Sequence, residues 1–254
     1  MQHQVMIGTA GWSIPPHLIE AFPGTGTHLE RYARQLPAAE INSSFYRPHR
    51  PSTFARWARC VPSNFRFSVK IPKEITHVRR LVDADEPLQR FLTEVQFLGD
   101  RLGPLLIQLP PSLAFDAAVV ERFAALLRKS TDINLVCEPR HPTWFTDAAD
   151  LLLSAYRIAR VAADPAVVPR AAEPGGWSRL AYWRLHGSPR MYYSAYPQAA
   201  LEAISREMVA SLSDAIERWC IFDNTASGEA SSDALSLLGL VPGVFGTAPH
   251  VALS

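Results

Sequence analysis

The chain has 254 residues, of which 48% are hydrophobic, and carries a formal net charge of +1 at neutral pH. This length is sufficient for one large core, and the near-neutral charge argues against a globally basic nucleic-acid-binding protein. There is no apolar run of about 18 residues and no apparent signal peptide, and the three cysteines are widely spaced without a CxxC pair. We therefore expect a cytoplasmic protein without a membrane span or disulfides.

Short β-rich runs alternate with helical patterns along the chain. The predicted strands are 5–9, 39–42, 65–70, 104–109, 134–139, 159–164, 180–187 and 218–224. The predicted helices are 28–36, 52–61, 86–102, 116–130, 147–157, 198–217 and 232–240. Asp116 and Ser232 are candidate N-caps. The segment 165–179 is rich in Pro and Gly, which predicts a loop with at most a turn of helix.

Strands that alternate with helices indicate a parallel sheet. Eight such repeats in a chain of this length predict an α/β fold, a single (β/α)₈ TIM-type barrel that spans residues 1–254. An open doubly wound sheet is the alternative, but no GxGxxG motif follows the first strand.

Polar residues gather where the predicted strands end, and the carboxyl ends of barrel strands carry the active site in characterised barrel enzymes. These residues are Glu40, Asn42, Lys70, Gln108, Glu138, Arg140, Asp164, Arg184, His186, Asp223 and Asn224, and only one of the last two is expected to face inward. An unpaired buried charge is expensive, so this rim predicts a ligand site. The structural alternative is a set of ion pairs, such as Glu138 with Arg140 or Arg184, that closes the barrel.

Six segments of the chain occur in order as recognisable motif blocks. They are EINSSFY (40–46), FSVKIPKEITH (67–77), LLIQLPPS (105–112), CEPRHPTW (137–144), WRLHG (183–187) and FDNT (222–225). Together they resemble domain-of-unknown-function family seventy-two over nearly the whole chain. The resemblance implies a TIM-type barrel and no settled reaction. The block around Glu138 usually reads closer to VEFRH, and Pro139 here removes a backbone donor from strand five.

The predicted rim and its loops are rich in basic residues, which favours a small anionic ligand. The turns HGSP (186–189), with Gly187, and NTASGEAS (224–231) resemble the loops where barrels bind phosphate. Lys70 is one of only three lysines in the chain. It is expected to act as a point charge on a substrate or carboxylate, and a Schiff base is the alternative role.

Glu40 and Glu138 form a candidate acid–base pair that His186 could assist. The alternative for these residues is a divalent metal held by Glu40, Glu138, Asp164 and His186, although no HExxH motif supports it. Aromatic residues that follow strand ends, Tyr46 and Trp144 among them, are expected to wall the pocket.

The leading hypothesis is therefore an enzyme that performs acid–base or lyase-type chemistry on a small anionic metabolite, phosphorylated metabolites included. Arg140, Arg184 and the last two loops would hold the anion in this hypothesis. A second hypothesis is a nucleic-acid-binding protein or metal-dependent phosphodiesterase that uses the basic and aromatic segment 47–59. The third is a barrel that binds a ligand without turnover.

Overall fold

One sheet of ten strands organises the computed structural model, which describes residues 4–210 and 217–241. The strands are β1 (Gln4–Ala10), β2 (Ala38–Ile41), β3 (Arg66–Lys70), β4 (Leu102–Gln108), β5 (Leu135–Glu138), β6 (Ile158–Arg160), β7 (Ala162–Asp164), β8 (Gly175–Gly176), β9 (Leu180–Leu185) and β10 (Glu217–Phe222). All neighbouring pairs are parallel except β6 with β8. The chain is thus an α/β protein with a parallel sheet, as predicted.

The sheet closes into a TIM-type barrel through β6 and β7, which are two parts of the predicted sixth strand. β6 pairs with β5, whereas β7 pairs with β9. Val161 lies between them and its amide still donates to the Cys137 carbonyl, at 2.8 Å. The eight predicted strands correspond to the seven continuous strands β1–β5, β9 and β10 and to the divided sixth strand. The two-residue β8 was not predicted. β5 ends at Glu138, so Pro139 follows the strand.

Seven α-helices are present in the described ranges. They are α1 (His28–Tyr32), α2 (Pro51–Arg59), α3 (Asp85–Val95), α4 (Ala117–Ser130), α5 (Asp147–Ala155), α6 (Gln198–Ala210) and α7 (Glu229–Leu240). Between β7 and β9 the chain is mostly loop, with one 3₁₀ turn, Pro169–Ala172, and the two-residue β8, so the prediction of at most a turn of helix in 165–179 is confirmed. Residues 211–216 of the predicted helix 198–217 lie outside the described residues. None of the described helices has the length and apolar content needed to cross a bilayer.

One of the two predicted helix starts is correct. Asp116 caps α4, because its Oδ1 accepts hydrogen bonds from the amides of Ala118 and Val119, at 3.0 and 3.2 Å. The prediction for Ser232 is wrong, because α7 already begins at Glu229. Gly228 precedes it with φ of 86°, a left-handed conformation that glycine adopts without a steric penalty.

Two apolar layers position the polar ends of the strands. The larger layer lies between the sheet and the helices, and the smaller one fills the barrel lumen. The buried residues of the lumen layer are Met6, Ala38, Leu106, Val136, Ala159, Val161, Leu180, Tyr182, Trp219 and Ile221. Alternate residues of a strand face the same side, so the residues that continue this alternation towards the carboxyl ends of the strands also face the lumen. We call this end the barrel mouth.

Candidate functional site at the barrel mouth

Arg184 lies at the centre of a buried network of charges in the barrel mouth. Its Nε and Nη2 atoms donate to Glu40 Oε2 and Oε1, at 3.0 and 2.8 Å. Its Nη1 donates to Glu138 Oε2, at 3.1 Å, and Nη2 also lies 3.0 Å from Asp223 Oδ2. All three guanidinium nitrogens are therefore engaged by carboxylates from three different strand ends. Arg184 was expected to hold a substrate anion, and in the structure it holds side chains of the protein instead.

His186 forms the second part of the network, in a buried row with two carboxylates. Its Nδ1 lies 3.1 Å from Asp223 Oδ2, and its Nε2 lies 2.9 Å from Glu138 Oε1. Arg140 approaches the same Nε2 with Nη2, at 2.8 Å, and forms an ion pair with Glu138. Because a carboxylate only accepts hydrogen bonds, Nδ1 carries a proton. Nε2 faces both a donor and an acceptor, so its surroundings fit the neutral and the charged ring.

The surrounding cations keep two of these carboxyl groups ionised. Burial by itself would raise the pKa of Glu138, but Arg140, Arg184 and His186 hold it well below the usual range. Burial likewise opposes ionisation of Asp223, whose pKa Arg184 and His186 lower. Glu40 is fully buried and also accepts a hydrogen bond from the Tyr182 hydroxyl, at 3.3 Å.

Lys70 enters the barrel mouth from the end of β3 and is only 5% exposed. Its Nζ lies 4.0 Å from the centre of the Phe45 ring. Within the part of the chain that the structure describes, no hydrogen bond or ion pair reaches this amine. Desolvation, followed by the charge of Arg184, lowers the pKa of Lys70 to about 8, against the opposing effect of Glu40, Glu138 and Asp223. We refer to Glu40, Lys70, Glu138, Arg140, Arg184, His186 and Asp223 as the mouth cluster.

Asp164, Gly187 and Asn224 lie behind the mouth cluster and position the loop that follows β9. Asp164 faces outward, because the lumen positions of its strand are Ala159 and Val161, and its Oδ2 accepts from the Tyr196 hydroxyl, at 2.6 Å. The same hydroxyl accepts from the Gly187 amide, at 2.8 Å. The φ angle of Gly187 is 89°, and an added Cβ would lie 2.8 Å from the Ser194 carbonyl oxygen.

Asn224 does not face the lumen, which leaves Asp223 as the inward residue of the pair. Its Nδ2 donates to Asp233 Oδ2 and to the Ser194 carbonyl, at 2.7 and 2.9 Å. Tyr192 lies in the same loop with φ of 70°, and its ring contacts His186 edge-on, with 5.8 Å between the centroids. Sequence reasoning did not identify Tyr196 or Asp233, because their roles depend on contacts between loops distant in sequence.

The four remaining predicted site residues have different surroundings. Asn42 follows β2, and its Oδ1 is buried without a hydrogen-bond partner among the described residues. Gln108 faces the lumen at the end of β4 and donates to the Leu109 carbonyl, at 2.7 Å. Tyr46 is 74% exposed and packs against Phe45. Trp144 is buried outside the mouth, where it donates to the Leu113 carbonyl, at 2.8 Å, so it does not wall the site.

Tyr182 and Ser68 are mouth residues that were absent from the predicted site set, and Phe45 is one of the aromatic residues after strand ends that were expected to wall the pocket. The Tyr182 hydroxyl lies below the charges, 3.0 Å from Ser68 Oγ. The alternation of β9 would have identified Tyr182, which lies two positions before Arg184. The position of Phe45 after β2 predicted a place near the pocket, but its contact with Lys70 was not predicted, because Phe45 belongs to a 3₁₀ turn rather than a strand.

The predicted metal ligands do not form one site. Asp164 faces away from the lumen, Glu40 and Glu138 bind Arg184, and both ring nitrogens of His186 have partners. Among the described residues, no group of three or more His, Cys, Asp or Glu side chains is arranged to hold a metal ion. The structure thus contradicts the proposed set of four ligands.

A cavity of about 520 Å³ lies between the loops that follow β1 and β10, so it includes residues of the predicted phosphate loop 224–231 but none of the loop 186–189. Among the described residues that line it there is no lysine or arginine, and His17 is the one basic side chain. Glu229 adds a negative charge to the first turn of α7. The cavity therefore includes only one of the two predicted phosphate loops, and its lining lacks the cations that usually accompany a bound phosphate.

The indole of the basic and aromatic segment 47–59 packs against other rings of the protein. The ring of Trp57 packs against Trp12 and His49, with centroids 5.1 Å apart in both pairs. Both contacts are edge-to-face, and Trp57 is half-buried, so other rings of the protein cover part of the indole. This observation weakens the nucleic-acid hypothesis.

Comparisons with known proteins agree on one family. The model of a family described as "Protein of unknown function DUF72" matches residues 6–250. The UPF0759 protein YecE of Escherichia coli (strain K12) is 30% identical over 142 residues, 56% of this chain and 50% of YecE. The UPF0759 protein YunF of Bacillus subtilis (strain 168) is 24% identical over 148 residues, 56% of this chain and 52% of YunF. The chain therefore spans about half the length of these curated relatives.

Two solved structures share the fold. A DUF72 family protein of Thermotoga maritima MSB8 has a TM-score of 0.77 at 24% identity, covering 94% of this chain and 99% of that one. A DUF72 family protein of Enterococcus faecalis V583 has a TM-score of 0.78 at 20% identity, covering 94% and 95%. At these identities the likeness concerns the architecture alone.

Proposed function

The chain belongs to the DUF72 family of proteins of unknown function, and from the geometry of its barrel mouth we propose that it is an enzyme performing acid–base chemistry on a small anionic substrate. The observation that carries the proposal is the amine of Lys70. Every other charged side chain of the mouth cluster has a charged partner, and among the described residues Lys70 has none. A buried cation without a partner is costly, and a substrate anion would supply the missing charge.

The ion pairs by themselves fit a second explanation. Glu138 pairs with both Arg140 and Arg184, as the structural alternative requires, so the network also closes the barrel end. A purely structural network has no use for an additional unpaired lysine beside it. The proposal therefore depends on Lys70 and not on the number of ion pairs.

The substrate anion would bind Lys70 and Arg140. Below pH 8 the Lys70 amine is mostly charged, and the guanidinium of Arg140 has a buried Nε without a hydrogen-bond partner among the described residues. Arg184 is unsuited to this task because its nitrogens already bind Glu40, Glu138 and Asp223. The anion site is thus narrower than the basic rim predicted from the sequence.

Proton transfer would fall to the row of Glu138, His186 and Asp223. Asp223 fixes the proton on Nδ1 of His186, so the ring exchanges its second proton at Nε2. Glu138 stabilises the charged ring, and Arg140 donates to the neutral ring. A ring that is supported in both states can serve as acid and as base, which suits elimination and isomerisation next to an anionic group.

The test combines a ligand screen with matched variants. Wild-type protein is screened by thermal shift against small carboxylates and phosphates, and hits are followed by calorimetry and by NMR of the incubated compound. We expect Lys70→Met to weaken binding of a hit at least about tenfold, because the charge partner is lost. Lys73→Met, which removes the exposed lysine three residues away, is the matched control and should bind normally.

Two outcomes would contradict the proposal. Equal affinity in Lys70→Met and wild type would show that the anion does not depend on this amine. Tight binding of a hit without any conversion, unchanged in Glu138→Gln, would indicate the non-catalytic ligand-binding barrel. Conversion by wild type that is lost in folded Glu138→Gln would support the enzyme.

A further inference from the structure

We propose that Lys70 is a nucleophile that forms a Schiff base with a small oxo acid, an inference that rests on the proposed function and names its substrate class. The reacting group is the ε-amine, and the substrate would present an aldehyde or ketone carbon together with a carboxylate.

The surroundings of the Lys70 amine are unusual for a buried charged lysine. A lysine that serves as a buried point charge normally forms an ion pair. Lys70 is 5% exposed, yet among the described residues its nitrogen has no hydrogen-bond or ion-pair partner and faces the ring of Phe45, at 4.0 Å. The nitrogen lone pair is thus free of any competing donor once the proton has left.

Arg184 keeps the neighbouring carboxylates from forming ion pairs with the amine. Glu40, Glu138 and Asp223 are close enough to influence Lys70, but their oxygens bind the guanidinium instead. The forked guanidinium satisfies several carboxylates at once, which a single ammonium group cannot do. Arg184 thus withholds the partners of Lys70 and repels its proton. Desolvation and this repulsion lower the pKa of Lys70 to about 8, so a useful fraction of the amine is neutral at physiological pH.

Formation of an imine at Lys70 needs no cofactor. The neutral amine donates its lone pair to the carbonyl carbon, a C–N bond forms, and the carbonyl electrons move to oxygen, which takes up a proton. The nitrogen loses one proton, the hydroxyl group takes up a second proton and leaves as water while the nitrogen lone pair forms the C=N bond, and loss of the remaining N–H proton gives the neutral imine. His186, in its row with Glu138 and Asp223, would carry these protons. The product is an imine, and its protonated form attracts electrons from the adjacent carbon, which suits the lyase-type reactions expected at this mouth.

The anionic part of the substrate would bind Arg140. Once Lys70 reacts as a neutral amine, Arg140 is the remaining cation of the mouth cluster that is not enclosed by carboxylates. Its side chain is 14% exposed. A carboxylate that binds Arg140 would hold the carbonyl group near the amine. Simple oxo acids have both groups in a very small molecule, which suits an almost buried site.

The experiment is reductive trapping on the wild-type protein with glyoxylate as the probe and cyanoborohydride as the reductant, near pH 7.5. Hydride from the reductant converts the imine into a stable secondary amine, and peptide mass spectrometry locates it. The chain has only three lysines, Lys70, Lys73 and Lys129, so the two others are internal standards. We expect Lys70 to react at least about tenfold faster than Lys73, although Lys73 is exposed, because about a quarter of an amine with a pKa of about 8 is neutral at this pH.

Labelling of Lys70 that is no faster than that of Lys73 would overturn the inference. Lys70→Arg separates this failure from failure of the proposed function, because arginine keeps the charge and cannot form the imine. Loss of trapping with anion binding retained in Lys70→Arg supports a covalent lysine. Anion binding that depends on Lys70 without trapping in wild type leaves an electrostatic lysine and an intact proposed function. Lys73→Arg is the matched control and should trap glyoxylate on Lys70 at the wild-type rate.

Discussion

Arg184 and Glu40 form a two-point ion pair across the barrel lumen, with Nε–Oε2 and Nη2–Oε1 distances of 3.0 and 2.8 Å. The two residues lie near the carboxyl ends of β9 and β2, which are not neighbours in the sheet, and both side chains are buried. The pair therefore forms only when the barrel is closed. The same guanidinium also binds Glu138 and Asp223, so it connects four strands at the barrel mouth.

Arg184→Met should destabilise the fold by about 3–5 kcal/mol, because it leaves three buried carboxylates without their shared cation. Urea unfolding at pH 7 measures the effect. Arg184 lowers the pKa of Glu138 and Asp223 in the folded protein, so its contribution is present above their ordinary pKa and lost as the pH falls through the folded values. The deficit of the variant should shrink in acid.

A surface pair provides the control for this measurement. Arg157 binds Asp132 at 2.9 Å with about half of its side chain exposed, and Arg157→Met should change the unfolding free energy by no more than about 1 kcal/mol. Equal effects of the two substitutions would contradict the central position of Arg184.

Lys70→Met should stabilise the protein at neutral pH, by about 1–3 kcal/mol, because the folded state binds the proton of Lys70 less tightly than the unfolded chain does. The penalty is fully present below pH 8 and disappears as the pH rises from about 8 to the ordinary lysine range near 10.5. Denaturant unfolding across this window should show the advantage of the variant decreasing with pH. A variant that is less stable at pH 7 would contradict the lowered pKa.

Glu138→Gln should lower the titration midpoint of Lys70 below its value of about 8, because the charge of Glu138 raises the pKa of this amine. The midpoint can be read by NMR after reductive ¹³C-methylation of the three lysines. Asp132→Asn is the matched control, since Asp132 is an exposed carboxylate outside the mouth cluster and its removal should leave the midpoint unchanged. An unchanged midpoint in Glu138→Gln would place Lys70 beyond the reach of Glu138.

Tyr196→Phe should cost about 1–3 kcal/mol, because it leaves the Asp164 carboxylate and the Gly187 amide without their shared hydroxyl. Hydrogen exchange of the Gly187 amide should accelerate, and urea unfolding gives the free energy. Tyr193→Phe is the control, because Tyr193 is 43% exposed and its ring contact with Arg190 remains. Exchange at Gly187 that does not change in Tyr196→Phe would exclude this anchoring of the loop.

The candidate site was predictable to the extent that it follows strand alternation. Glu40, Lys70, Glu138, Arg184 and His186 all lie at the barrel mouth as the alternating pattern predicted. The pattern gave no correct phase for Asp164, because the alanines before it are compatible with either face of a strand. The prediction that Trp144 walls the pocket was wrong for a related reason. Trp144 belongs to a 3₁₀ turn after β5, and strand periodicity does not apply there.

The amino-acid sequence by itself determined the class of fold and the end of the barrel where charges gather. Apolar periodicity decides which segments become strands or helices, and a parallel sheet brings the carboxyl ends of its strands to one side. Only the tertiary structure decided the partners of each charge. Arg184 binds three carboxylates, and Lys70 binds none within residues 4–210 and 217–241, because partner choice depends on distances of a few ångströms across a closed lumen. Residues more than 140 positions apart meet there.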